Sequence, residues 1–176
     1  LWSGATIDPF PRFEMETILQ PAGRGAWTVF MAVPTIFVKI IQHLTTLDEP
    51  ERNAIVDGFA EMRLMVSGSA ALPASVHATW TELTGQSLLE RYGMTEIGMA
   101  LSNPYDGQRR AGMVGQPLPG VQVRLQSETG EIVRSENQPG ELQVRGPCVF
   151  REYWNRPEAT AAAFEDDWFR TGDIAQ

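Results

Sequence analysis

Cysteine is nearly missing from this sequence, Cys148 being the only one in 176 residues. An internal disulfide is therefore excluded, and with it the cross-linked scaffold of a small secreted protein. Histidine is almost as scarce. His43 and His77 stand far apart in the chain, which leaves a Ser-His-Asp triad little to stand on. No apolar run approaches the roughly eighteen residues of a membrane-spanning helix. Basic residues are in deficit: 14 Lys and Arg against 22 Asp and Glu, a net charge of −8 and a pI near 4.8. Without a basic stripe, nucleic acid and anionic membrane are poor partners. Internal repeats, low-complexity runs and a P-loop are absent as well. What remains, 43% hydrophobic and 20% charged residues, is ordinary for a globular protein long enough to bury a sizeable core.

The most informative stretch runs from Arg63 to Glu96. Arg63–Ser67 is a short apolar run closed by Gly68, which predicts a buried strand. Leu72–Thr84 reads as a helix, with Pro73 in its first turn, Val76, Trp80 and Leu83 at helical spacing, and Gly85 to end it. Ser87–Tyr92 is a second strand, closed by Gly93. Strand, helix and strand within about thirty residues make a βαβ unit with parallel strands. Ligands of such sheets sit outside the carboxyl ends of the strands, where Ser67-Gly68-Ser69-Ala70 and Tyr92-Gly93-Met94-Thr95-Glu96 both fall. Small residues at Gly68, Ser69 and Ala70 let a flat ring lie on bare backbone. Tyr92 offers a stacking face, Thr95 a hydroxyl for a phosphate oxygen, and Glu96 a hard carboxylate oxygen suited to magnesium. Together they predict a nucleotide site.

Upstream, Leu1–Phe10 reads as a loop or a strand with a turn, and Phe13–Leu19 as a short helix. Trp27–Val33 is a strand candidate, followed by helices over Pro34–Leu44 and Glu51–Met62. Near Asn103 the chain changes character. An α/β part over residues 1–102 gives way to a β-rich part over 103–176, with strands at Val121–Leu125 and Glu141–Arg145 and turns at Glu128–Glu131 and Asn137–Gly140. Gly112–Gly120 holds too many glycines and prolines for a helix or a central strand. The fold class expected is α/β, a parallel βαβ sheet portion followed by a smaller, distorted-barrel subdomain.

Ser67-Gly68-Ser69-Ala70-Ala71-Leu72-Pro73, followed by Glu90-Arg91-Tyr92-Gly93-Met94-Thr95-Glu96, resembles the adenylate-forming superfamily of acyl-CoA synthetases, luciferases and peptide-synthetase adenylation domains. Gly112–Gly120, Gly140–Pro147, Tyr153–Thr160 and Trp168–Asp173 are similar to its later motifs in the same order. One departure is Asp166-Asp167, where the family usually has Asp-Gly before Trp-Phe. The resemblance covers essentially the whole sequence and is strongest to malonyl-CoA synthetases.

That resemblance implies ATP, Mg²⁺ and coenzyme A as reactants, and a small carboxylic acid as substrate. The acid attacks the α-phosphate of ATP to give an acyl-adenylate, and a thiol then takes the acyl group. It implies nucleotide contacts from Ser69, Ala70, Glu90, Arg91, Tyr92, Gly93, Met94, Thr95 and Asp173, the last at the ribose hydroxyls. Thr95 and Glu96 are the candidate catalytic residues, Glu96 also holding the metal. A dicarboxylate such as malonate needs a cation for its second carboxylate, and Arg63 with Ser67 are the candidates. Glu141 and Arg145 are expected to serve the barrel. A phosphate-cradling loop upstream and a C-terminal domain with a catalytic lysine downstream are expected beyond this stretch, which is expected to be inactive alone. The compartment expected is cytoplasmic for a bacterial parent and mitochondrial for a eukaryotic one. Another short- or medium-chain acyl ligase, an adenylation domain, or a non-catalytic nucleotide-binding homologue stay open as alternatives.

Overall fold

A computed structural model describes residues 4–10 and 12–176. Leu1–Ser3, the start of the predicted opening stretch, lie outside the described residues, and residues 4–10 form neither helix nor strand. The first half alternates as expected: α1 (Met15–Gly23), β1 (Val29–Ala32), α2 (Pro34–Leu44), α3 (Glu49–Ala60), β2 (Leu64–Ser67), α4 (Ala74–Thr84) and β3 (Leu89–Met94). Local chemistry accounts for most of these boundaries. Pro34 opens α2, where its missing N–H costs nothing, and the Asp48 side chain caps α3 by accepting from Glu51 N at 3.0 Å. Gly85 ends α4 in the left-handed conformation at φ 71°. Pro73 precedes α4 as its N-cap instead of lying within the first turn.

Two elements outrun their sequence signals. Helix α1 continues through Pro21 to Gly23, because its last turn lies against α3 at Gly58. A Cβ at Gly58 would stand 2.0 Å from Ala22 O, so backbone meets backbone there. Strand β3 does not stop at Gly93 but passes through it to Met94, with a register shift against its neighbour between Tyr92 and Gly93. The glycine marks a bulge, not an end.

Strands β1, β2 and β3 pair in parallel, as the βαβ reading requires. β4 (Gly98–Ser102) and β5 (Gln116–Pro117) then add antiparallel, completing a mixed sheet in the order β1-β2-β3-β4-β5. The first sheet thus takes one short edge strand from beyond Asn103. The second sheet is antiparallel and curled like half a barrel, in the order β7-β6-β8-β10-β9, from β6 (Gln122–Gln126), β7 (Ile132–Val133), β8 (Gly140–Arg145), β9 (Phe164–Glu165) and β10 (Trp168–Ala175). A short helix, α5 (Pro157–Ala163), precedes β9.

The described residues form two apolar cores. Phe37, Phe59 and Trp80 are fully buried in the first and meet edge to face, with centroids 5.0 and 5.1 Å from Trp80. Ile97, Ala100, Val144 and Phe169 centre the second. Cys148 is free and half-buried, not fully buried as its residue type predicts.

The β9–β10 hairpin closes through Asp166 and Asp167, at φ 48° and 64°. A two-residue turn with positive φ at both positions favours glycine at the second, the residue that the resemblance led us to expect. Asp167→Gly should therefore raise stability by about 1 kcal/mol, read as a later urea midpoint with unchanged slope. An unchanged or earlier midpoint would mean that Asp167 gains as much from its surroundings as its backbone loses.

Candidate functional site

The site is assembled at the carboxyl ends of β2 and β3. Ser67 is the last residue of β2, fully buried, and its Oγ has no hydrogen-bond partner among the described residues. A buried hydroxyl without a partner costs free energy, so its presence at a ligand-facing edge marks unfilled bonding capacity. Ser69 turns the chain at φ 68° and is exposed, as is Ala70. Pairing of Ser67 with Glu90 brings Arg91 beside Gly68. The guanidinium lies so close that a Cβ at Gly68 would be 3.1 Å from Cζ and Nη1. Gly68 is thus small for the arginine, not for a flat ring. Arg91 Nη1 is 3.6 Å from Met99 Sδ, and its buried Nε has no partner among the described residues.

The β3–β4 hairpin carries the next group. Gly93 is in contact with the opposite backbone, and Ile97, fully buried, anchors the turn. Thr95 is exposed between them, and Glu96 is half-buried. Glu96 is tied at two points by the segment after β8: its carbonyl accepts from Phe150 N at 2.7 Å, and its Oε1 accepts from the Tyr153 hydroxyl at 2.8 Å.

Asp173 arrives from the second sheet. It sits in an irregular stretch of β10, where pairing with β8 shifts between Arg170 and Ile174 and Gly172 takes φ 76°. Glu141 holds that stretch, pairing with Arg170 at 2.9 Å and accepting from Gly172 N at 3.2 Å. Glu141 therefore does serve the second sheet, but its service positions Asp173. The Tyr92 hydroxyl donates to Asp173 Oδ2 at 2.6 Å. Burial, and then this carboxylate, push the Tyr92 phenol up to about 12. It remains a neutral donor at any working pH.

Two of the expected site residues lie elsewhere. Arg63 is exposed and precedes the first residue of β2. It stands at the amino end of the strand, four residues or roughly 13 Å of extended chain before Ser67. A carboxylate bound at the carboxyl ends is out of its reach. Glu90 is buried, and its Oε1 accepts from Gly112 N at 3.0 Å. Its backbone carbonyl accepts from both the N–H and the side-chain amide of Asn103. Glu90 and Asn103 together fasten the loop between β4 and β5, and the Glu90 carboxylate is engaged by that loop through Gly112 N.

Burial raises the pKa of Glu90 above the usual carboxylate range, only partly offset by the Gly112 bond and by nearby His77. A raised folded-state pKa means that protonation favours folding, so this contribution is lost as pH rises through the folded value. Glu90→Gln keeps an acceptor for Gly112 N but cannot ionise. Relative to wild type it should gain stability from acid pH toward neutrality. Urea midpoints at both ends of that range check this, and a constant difference between the two proteins would refute it.

Among the described residues no group of three or more His, Cys, Asp or Glu could enclose a metal ion. A lone hard carboxylate such as Glu96 matches the way magnesium is held with nucleotides, by one or two carboxylates plus phosphate oxygens. No described helix is long and apolar enough to cross a membrane.

Comparison with known proteins bears on the family and the fold. The sequence pattern of the AMP-binding enzymes matches residues 1–154. The chain is 48% identical to the mitochondrial malonate–CoA ligase of Xenopus laevis, over 99% of this chain and 35% of that protein. It is 46% identical to the malonate–CoA ligase of Arabidopsis thaliana, over 85% of this chain and 24% of that one. Among solved structures, ATP-bound MatB from Rhodopseudomonas palustris superposes with a TM-score of 0.81 at 42% identity, over 94% of this chain and 31% of that chain. A malonyl-CoA ligase ternary product complex with methylmalonyl-CoA and AMP bound does so with a TM-score of 0.80 at 46% identity, over 93% and 34%. The chain spans about a third of the length of the vertebrate relatives it matches, 34% and 35% for two of them.

Proposed function

Since this chain belongs to the AMP-binding enzyme family, we propose that it forms the nucleotide- and acid-binding part of an ATP-dependent acid–thiol ligase whose acid is malonate. One observation carries the reading: Asp173 and Tyr92, from different sheets, meet at 2.6 Å beside the Thr95–Glu96 turn. A stacking ring, a hydroxyl, a metal-binding carboxylate and a ribose-binding carboxylate are thereby gathered at one strand edge.

In this reading the base lies against Tyr92, with Ser69, Ala70 and the backbone of Gly93 and Met94 around it. Asp173 accepts from the ribose hydroxyls, and Thr95 donates to a phosphate oxygen. Glu96 holds magnesium, which when bound neutralises charge on the departing phosphate oxygens. No side chain attacks: the acid carboxylate displaces pyrophosphate from the α-phosphate, and the acyl-adenylate then passes its acyl group to coenzyme A. Catalysis rests on placement and charge neutralisation. Arg91, against Gly68, replaces Arg63 as the anchor for the second carboxylate, and Ser67 stays the further candidate. The names of the vertebrate relatives favour a mitochondrial compartment for a eukaryotic parent protein; a bacterial parent would work in the cytoplasm.

The test follows pyrophosphate release with ATP, Mg²⁺ and CoA across malonate, methylmalonate, acetate and hexanoate. It uses a protein that also contains the remaining two thirds of its relatives' length. Malonate should give the highest kcat/KM, and these 176 residues alone should give no turnover. Preference for a monocarboxylate would discard malonate and keep the ligase. ATP binding without release for any acid would favour a non-catalytic homologue.

A further inference from the structure

Glu96 is fixed by a loop that belongs to the other sheet. Phe150 packs among Tyr153, Phe164 and Phe169, with centroids 4.6, 5.6 and 5.4 Å away. Its N–H holds the Glu96 carbonyl at 2.7 Å. Tyr153 is braced in turn, its N–H donating to Thr160 Oγ1 at 3.0 Å and its carbonyl accepting from Arg156 N at 3.1 Å. On this base the Tyr153 hydroxyl reaches Glu96 Oε1 at 2.8 Å, across 57 residues of sequence. The bond occupies one carboxylate oxygen. The other, Oε2, takes no protein hydrogen bond among the described residues. Freely rotating, a half-buried glutamate would sample several orientations. Held by a charge-assisted bond at one oxygen, it presents the second in a single direction.

We propose that Tyr153 is a positioning residue for the metal–nucleotide site, acting through Glu96. The inference rests on the reading of Glu96 as the magnesium ligand. Hydrogen bonds to a ligating carboxylate orient it, and their loss typically weakens metal affinity by about 10–100-fold. The arrangement is the converse of that at Asp173. There the first sheet gives a phenol to a carboxylate of the second, and here the loop of the second gives one to a carboxylate of the first.

Calorimetric titration of the full-length protein with ATP, in Mg²⁺ and in a chelator, tests this without turnover. Tyr153→Phe keeps the ring that packs on Phe150 and removes only the donor. It should weaken Mg·ATP binding by about 10-fold and leave metal-free ATP unchanged. In a Glu96→Ala background the same change should add nothing, because the two residues act as one unit. Thr160→Val, which loosens the loop and keeps the phenol, should weaken Mg·ATP binding by about 2–3-fold, the low end of what one lost hydrogen bond does, again selectively. Equal losses with and without Mg²⁺, no loss in either, or additivity with Glu96→Ala would overturn the proposal. If Glu96→Ala abolishes the Mg²⁺ effect while Tyr153→Phe leaves it at its wild-type size, Tyr153 alone is misassigned. Should Glu96→Ala leave the Mg²⁺ effect intact, the reading of Glu96 fails and that of Tyr153 with it.

Discussion

Replacing Arg91 with alanine should lower kcat/KM for malonate by about 10²–10³-fold while changing the value for acetate little. The size follows from the partner lost. Truncating one member of a desolvated, hydrogen-bonded charge pair costs about 2–5 kcal/mol, and a guanidinium fork can hold a carboxylate by two bonds at once. The proposed role rests on its place: Arg91 lies against Gly68 at the carboxyl edge, and its Nε is buried with no partner among the described residues. Acetate has no second carboxylate and should be indifferent to the loss. Arg63→Ala, at the opposite end of β2, should leave the malonate preference as it was. Equal losses for malonate and acetate on replacing Arg91 would show a general structural role and remove it from acid recognition.

Gly93→Ala should cost about 3 kcal/mol of stability or more, at the upper end of what overpacking does, and nucleotide affinity should fall with it. A Cβ there would stand 2.1 Å from Gly98 O and 3.0 Å from Met99 Cα. Both are backbone atoms of the facing strand and cannot swing aside. The hairpin that must open to admit the methyl group ends in Thr95 and Glu96. Gly85→Ala is the natural comparison: Gly85 also has a special conformation, φ 71°, but nothing within 4 Å of an added Cβ. It should lose only about 1 kcal/mol, the cost of a left-handed backbone. Equal urea midpoints for the two variants would show that the β3–β4 contact yields easily.

What could be read from the sequence was whatever local chemistry decides. Helix α2 runs over Pro34–Leu44 as expected because a proline opens it and its apolar face is regular. The parallel pairing of β2 and β3 follows from strand, helix and strand at βαβ spacing. Arg63 could have been set aside on the same grounds, since strand direction alone puts it at the edge away from the candidate site. Long-range contacts were not legible. Gly58, far along the chain, explains why α1 survives Pro21. Gly93 looks like a strand end until its facing backbone is known. The bonds from Tyr92 to Asp173 and from Tyr153 to Glu96 span 81 and 57 residues, and no periodicity announces a pair so far apart. The motifs containing these residues could be recognised; who holds whom could not.

The place of β3 between the two cores has a consequence for cooperativity. Leu88, at its entrance, belongs to the first core, whereas Tyr92 and Met94 pack on the second. A chain with two cores can open them separately, each with its own local free energy. Here the seam between them is the strand that bears the proposed nucleotide site. A ligand held by Tyr92 on one side and Asp173 on the other binds only when both are folded, so occupancy penalises every partly opened state. Nucleotide would then weld the two units into one, and the amides of both sheets would exchange through a common opening.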